Sequence, residues 1–151
     1  MTTPTPTESA EHVHTGRCHC GAIALTLTVT RPAEEMQVRA CQCSFCTRQG
    51  ALTVSDPAGS AVLEVEAGQF SRYQFGMKTA SSLLCGRCGV YAGVLLIDQG
   101  RVWSVANARG LAIEAFRNRT GVQMFYEDET ADERVARRKQ KWTPTEIRFK
   151  L

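Results

Sequence analysis

An all-β fold, a folded sheet or sandwich of short antiparallel strands with one short C-terminal helix, is what this sequence predicts, and three observations predict it. Short apolar segments recur at close spacing, with turn signals between them and no long helical periodicity. The segment after Gly21 alternates strictly, with Ile23, Leu25, Leu27 and Val29 on one side and Ala22, Ala24, Thr26, Thr28 and Thr30 on the other, which marks a half-buried strand. Seven cysteines fall into three tight groups, Cys18-His19-Cys20, Cys41-Gln42-Cys43-Ser44-Phe45-Cys46 and Cys85-Gly86-Arg87-Cys88, and pairs this close share a metal more readily than they form a disulfide framework. The fold class is therefore all-β with zinc knuckles.

Taken in order, residues 1–14 are rich in Thr and Pro without apolar periodicity and read as a disordered tail. Residues 15–151 read as one zinc-binding domain, which a chain of 151 residues with 43% hydrophobic content can sustain. The alternating strand ends at Arg31-Pro32. Further strands are expected at Val38–Cys41, Ala51–Val54, Val62–Glu66, Ser71–Phe75, Ser81–Cys85, Val90–Asp98 and Arg101–Ala106, with turns at Asp56-Pro57, Ala67-Gly68, Gly76, Cys88-Gly89 and Gln99-Gly100. The helix is expected at residues 129–141, where Glu129, Asp132 and Glu133 open the segment and Arg137, Arg138, Lys139 and Lys141 close it. That order complements the helix dipole and allows an i,i+4 pair between Glu133 and Arg137, so the charge run reads as a solvated face.

A net charge of +3 argues neither for nucleic acid nor for a polyanionic substrate. No apolar run approaches a membrane span, the longest candidate being Val94-Leu95-Leu96-Ile97. Met1 to Ala10 lacks the basic and apolar regions of a secretory leader, so a cytoplasmic setting with reduced thiols is expected. Paired carboxylates, a Ser-His-Asp set and a glycine-rich phosphate loop are all missing from the sequence, which gives hydrolase and nucleotide-binding readings no support. His12 and His14 fall in or beside the tail and read as solvated, while Trp103 and Trp142 read as core or docking residues.

Seven thiols divide into a set of four and a set of three. In an extended chain Cys18 and Cys20 point the same way and His19 points opposite. Cys85 to Gly89 has the form of a knuckle in which glycine permits positive φ and backbone N–H groups approach the sulfurs. Those four cysteines can close one tetrahedron and clamp two distant segments together, a structural Zn²⁺ site. Cys41, Cys43 and Cys46 lie within one loop and can converge on a second, labile or catalytic Zn²⁺ with its fourth position open. Three thiolates on a dication leave a formal charge of about −1, which suits soft sulfur chemistry better than activation of water. Arg48, Gln49 and Arg109 are the candidate substrate-binding residues, the arginines for a carboxylate, and Phe45 is a candidate lid over the open position. Three other readings stand beside this one: a closed second site at which nothing reacts, a zinc-stabilised binding module that uses Arg134 to Lys141 as its contact surface, and a redox or zinc-buffering protein.

Gly16-Arg17-Cys18-His19-Cys20-Gly21 running into an alternating strand, the middle cluster followed by Arg48 and Gly50, and Cys85-Gly86-Arg87-Cys88-Gly89 together resemble the glutathione-dependent formaldehyde-activating enzyme family. That family includes centromere protein V and shares the Mss4-like β fold. The resemblance runs from Gly16 to Ala106 in order and spacing. It implies a structural zinc on Cys18, Cys20, Cys85 and Cys88 and a second, more labile zinc on Cys41, Cys43 and Cys46. It also implies carbon-sulfur lyase chemistry, in which a thiol such as glutathione adds reversibly to a small aldehyde to give a hydroxymethyl thioether. The expected partners are thus a small thiol and a carbonyl compound, with no membrane and no nucleic acid, and an oligomer is left open. The chain departs from its relatives at Gln42, Leu84 and Asn107-Ala108-Arg109-Gly110-Leu111, and every metal-ligand candidate is retained.

Overall fold

In a computed structural model of the chain, which describes residues 11–150, the first strand begins well before the cysteines. Strand β1 (His12–Arg17) runs antiparallel to β2 (Ile23–Val29), from His12 opposite Val29 to Arg17 opposite Ala24. His12, Val13 and His14 therefore belong to the sheet, not to a tail, and the His14 ring packs edge-on against Phe116 at 5.6 Å. Of the segment read as disordered, residues 1–10 lie outside the described residues. Strand β2 behaves as its alternation requires, with Ile23, Leu25, Leu27 and Val29 all buried.

Beyond a 3-10 turn at Ala33–Glu35 come β3 (Arg39–Cys41), helix α1 (Ser44–Gln49), β4 (Thr53–Val54), β5 (Ser60–Glu66) and β6 (Phe70–Tyr73). The chain continues through β7 (Ser81–Cys85), β8 (Tyr91–Asp98), β9 (Arg101–Asn107), β10 (Val122–Met124), helix α2 (Ala131–Lys141) and β11 (Thr143–Lys150). Helix α2 starts where its cap dictates. The Thr130 hydroxyl accepts the Glu133 N–H and the Glu133 carboxylate accepts the Thr130 N–H, a reciprocal capping box.

One path through the sheet runs β1-β2-β5-β11-β9-β4-β3-β10, and β8, β7 and β6 extend from the other edge of β9. The pairings are antiparallel as expected except at two places, where β11 runs parallel to β5 and β10 runs parallel to β3. The main core lies under β2, β5, β7 and β8 and is filled by Ile23, Leu27, Val65, Leu83 and Leu95, with Leu111 and Ile113 closing it. A smaller apolar cluster of Leu96, Trp103 and Trp142, joined by Val135, docks α2 onto the sheet. The middle cysteine loop is positioned by β3, which lies between β4 and β10, and α2 crosses from β10 to β11 beside it.

Candidate metal centres and the adjoining cavity

Two sets of sulfurs converge, and they are the two the sequence divides. The Sγ atoms of Cys18, Cys20, Cys85 and Cys88 all lie within 4.8 Å of one another, with Cys18 to Cys20 at 3.8 Å and Cys20 to Cys85 at 3.6 Å. A tetrahedron with metal–sulfur bonds of about 2.3 Å has edges of about 3.8 Å, so the set can hold one ion without rearrangement. Cys18 and Cys20 come together through a turn that follows β1, not through strand alternation, and His19 is exposed. On the other side, Gly89 at φ 77° ends the Cys85–Cys88 turn in a conformation that favours glycine. Backbone donors already face the sulfurs: Ile23 N–H to Cys18 at 3.2 Å and Cys88 N–H to Cys85 at 3.5 Å. Burial pushes the Cys18 thiol up to about 11, whereas at Cys88 desolvation is the largest single effect but the backbone N–H donors of Cys20 and Val90, with the Cys85 and Cys18 thiols, together bring it down to about 6.

The second set is local. Cys41 ends β3, Cys43 is the N-cap of α1, and Cys46 sits buried in the first turn, the three sulfurs again within 4.8 Å of one another. The Cys46 N–H donates to Cys43 Sγ at 3.3 Å, so a thiol takes the place that Ser, Thr, Asp or Asn usually holds at a helix start. Gly50, at φ 59°, stops the helix. Hydrogen bonds from Cys41 and Cys46 hold Cys43 far below the usual thiol range, while those with Cys41 and Cys43 drive Cys46 far above it. Without metal, Cys43 is the thiolate of the three. Gln42 uses its side-chain amide on Ala40 C=O (2.9 Å) and its N–H on Met124 C=O (2.9 Å), which ties the loop to β10.

A cavity of about 270 Å³ opens beside these three sulfurs. On the sulfur side stands Tyr91, only 2% exposed, whose hydroxyl has no hydrogen-bond partner among the described residues. Burial, and then the Cys46 sulfur beside it, push its pKa well above the ordinary phenol value, so its hydroxyl stays protonated. Phe45 meets the Tyr91 ring edge-on at 5.1 Å and contacts Tyr73 and Phe75, each at 5.4 Å, forming an aromatic wall at the mouth.

The opposite wall is cationic. Arg134, Arg137 and Arg138, spaced i, i+3, i+4 on α2, turn into the cavity, and Arg39 joins them from β3. Arg137 is held bidentately by Glu129 (2.7 and 3.0 Å) and lies 3.8 Å over the Tyr126 ring. Arg134 donates to Tyr126 C=O at 2.8 Å. Arg138 donates to Thr79 Oγ1 at 2.6 Å, lies over Trp142, and has no carboxylate partner among the described residues. Burial, with Arg137 and Arg134 beside it, lowers Arg138 to about 10, which leaves it charged at neutral pH.

The residues expected to bind substrate lie elsewhere. Arg48 donates to Ser44 C=O at 2.9 Å along α1, Arg109 donates to Gly50 C=O at 2.9 Å, and Gln49 is exposed; none of the three lines the cavity. Both arginines brace the cysteine loop. The arginines that do face the cavity belong to the charge run read as solvated, a pattern that looks the same whether its far side meets water or a pocket. Tyr91 also escaped notice, although an aromatic three residues beyond Cys88 was a usable signal.

A family model described as glutathione-dependent formaldehyde-activating enzyme matches residues 13–111. That span carries all seven cysteines and Tyr91 but ends before α2. A crystal structure of a Rhodobacter sphaeroides protein is similar to this chain with a TM-score of 0.51 and 26% identity, covering 74% of this chain and 99% of its own. No helix among the described residues is long and apolar enough to cross a membrane.

Proposed function

Because the chain belongs to the glutathione-dependent formaldehyde-activating enzyme family, we propose that it catalyses reversible addition of a thiol to a small aldehyde beside Cys41, Cys43 and Cys46. In the forward direction the thiol sulfur attacks the carbonyl carbon, a C–S bond forms, the carbonyl π bond breaks, and the thiol proton ends on oxygen. The reverse is a carbon-sulfur lyase reaction, and neither direction needs an oxidant. Cys18, Cys20, Cys85 and Cys88 would hold a zinc that fastens the fold, and Cys41, Cys43 and Cys46 would hold a second. A zinc bound there would supply positive charge that keeps a substrate thiol ionised near neutral pH.

One observation carries this reading: the three sulfurs border a cavity, and no fourth His, Cys, Asp or Glu ligand atom among the described residues joins them. Such a site is open by construction. The Tyr91 hydroxyl, buried and unpartnered, is available to donate a hydrogen bond to the oxygen on which charge develops. Phe45 and Phe75 shield the sulfurs from bulk water. Seven free thiols suit a reducing compartment such as the cytoplasm. The binding-module reading is weaker, since three arginines of its contact surface face inward.

The test is cobalt substitution at the three-cysteine site together with a mass-spectrometric screen of thiol and aldehyde pairs. A small thiol should shift the sulfur-to-metal charge-transfer bands where an amine of equal size does not, and at least one pair should give the adduct faster than buffer does. Unchanged spectra with every thiol, in cobalt-loaded protein, would overturn the proposal.

A further inference from the structure

The arginine wall is built for something the sulfurs do not supply. Arg39, Arg134, Arg137 and Arg138 line the cavity, and Glu127 is the one carboxylate among the described residues that lines it with them. Glu129 is spent on Arg137 at 2.7 Å and lies 3.7 Å from Arg134 Nε, too far for a hydrogen bond. The Nε atoms of both Arg134 and Arg138 are buried without a hydrogen-bond partner among the described residues. Arg138 has no carboxylate partner among the described residues while it lines the cavity, and a planar fork of N–H groups matches a carboxylate. Across the cavity the buried Tyr91 hydroxyl is likewise unpartnered. The cationic wall thus borders room for one small anion, within about 270 Å³.

We propose that Arg138 and Arg134 form a carboxylate subsite through which α2 selects an anionic reactant. The subsite lies outside residues 13–111, so it is a feature of this chain's C-terminal segment and not of the matched family region. Which reactant bears the carboxylate, thiol or aldehyde, rests on the reaction proposed above; the binding of a carboxylate does not. The arrangement of Arg138 over Trp142 at 5.0 Å provides a readout independent of turnover, because occupancy beside the guanidinium should alter indole fluorescence.

The experiment uses the full, metal-loaded chain. Propionate, which has no thiol and no carbonyl to attack, should bind saturably and change tryptophan fluorescence. Arg138→Gln should weaken it tenfold or more, and Arg138→Lys should weaken it less, since the charge remains while the fork is lost. Two further arms locate the carboxylate: affinity for 3-mercaptopropionate against 2-mercaptoethanol, and adduct formation from glyoxylate against formaldehyde with 2-mercaptoethanol as the thiol. A wild-type preference that Arg138→Gln erases in the first arm assigns the carboxylate to the thiol, and in the second arm to the aldehyde. Propionate binding that depends on Arg138, with no adduct from any pair, would sustain the subsite and overturn the reaction. Should Arg138→Gln fail to fold by circular dichroism, Arg134→Gln carries the same comparison. Absence of saturable propionate binding, or equal affinity in wild type and a folded variant, overturns the subsite.

Discussion

The four-cysteine and three-cysteine groups present the same ligand atom in opposite settings. The first draws Cys18 and Cys20 from the turn after β1, Cys85 from the end of β7 and Cys88 from the turn after it, so its sulfurs meet only when distant strands are already in register. The second takes Cys41, Cys43 and Cys46 from one stretch that β3 and α1 shape locally. A metal in the first closes a long loop and shares its binding energy with folding; a metal in the second adds little to the sheet and keeps a face toward the cavity. Ligand number alone does not make a site structural or reactive. The sequence separation of the ligands and the space beside them do.

The most severe way to break this contrast is substitution at each group. Cys88→Ser should leave the chain unfolded or insoluble, because a metal-binding energy of about 10–16 kcal/mol is folding energy in such sites and exceeds or rivals a domain's net stability of about 5–15 kcal/mol. Cys43→Ser should fold, with near-native far-UV circular dichroism and one metal fewer per chain by elemental analysis. A collapsed Cys43→Ser would mean that both groups hold the fold.

Metal removal sharpens the same point. A mild chelator should extract the ion held by Cys41, Cys43 and Cys46 while the β signal persists, and loss of the ion and the β signal together would contradict the division. In the protein so treated, limited iodoacetamide near neutral pH should label Cys43 before Cys46. Cys43 is held below its ordinary pKa and is ionised there, whereas Cys46 is held above it and stays protonated as pH rises through neutrality. Peptide mapping that finds Cys46 labelled first would reverse the assignment.

Smaller effects are expected away from the sulfurs. Starting the chain at Thr15 removes three residues of β1 and the His14–Phe116 contact, and the melting temperature should fall by roughly 3–8 °C, equivalent to about 1–2 kcal/mol. An unchanged melting temperature would show that this half of β1 adds nothing to the clamp beside it. Tyr91→Phe should change stability by less than about 0.5 kcal/mol, since the hydroxyl it deletes has no partner, yet should slow adduct formation on the order of tenfold. Equal rates would remove the hydroxyl from the chemistry.

The parts of the molecule that announce themselves in the sequence are those with a strong local pattern. Cysteine spacing separates the two groups, β2 alternates, and α2 carries its charges in dipole order. Strands β1 and β11 were illegible for one shared reason. Their side chains remain mostly exposed or half-exposed, and main-chain pairing rather than apolar burial holds them in place. Helix α1 was hidden because its cap is Cys43, a residue that does not signal a helix start. Arg48 and Arg109 carry the same carboxylate-binding chemistry as Arg134 and Arg138, and nothing one-dimensional tells which pair lines the cavity.

Strand β11 sits in the middle of the sheet, between β5 and β9, yet it follows every other strand in the chain. During synthesis, both cysteine groups are complete once residue 88 has emerged, long before Thr143–Lys150 can join the edges of β5 and β9. Those edges stay open in the interval, and pairing them with the wrong chain is the hazard that nascent sheets face. The local group of Cys41, Cys43 and Cys46 is therefore exposed to solvent ions before Thr143–Lys150 emerges, whereas β2 and β7, beside the four-cysteine group, are joined across the sheet only through β5, β11, β9 and β8. Assembly order would thus let the local group meet an ion first and leave the four-cysteine clamp, and the proposed α2 subsite, to the last strand.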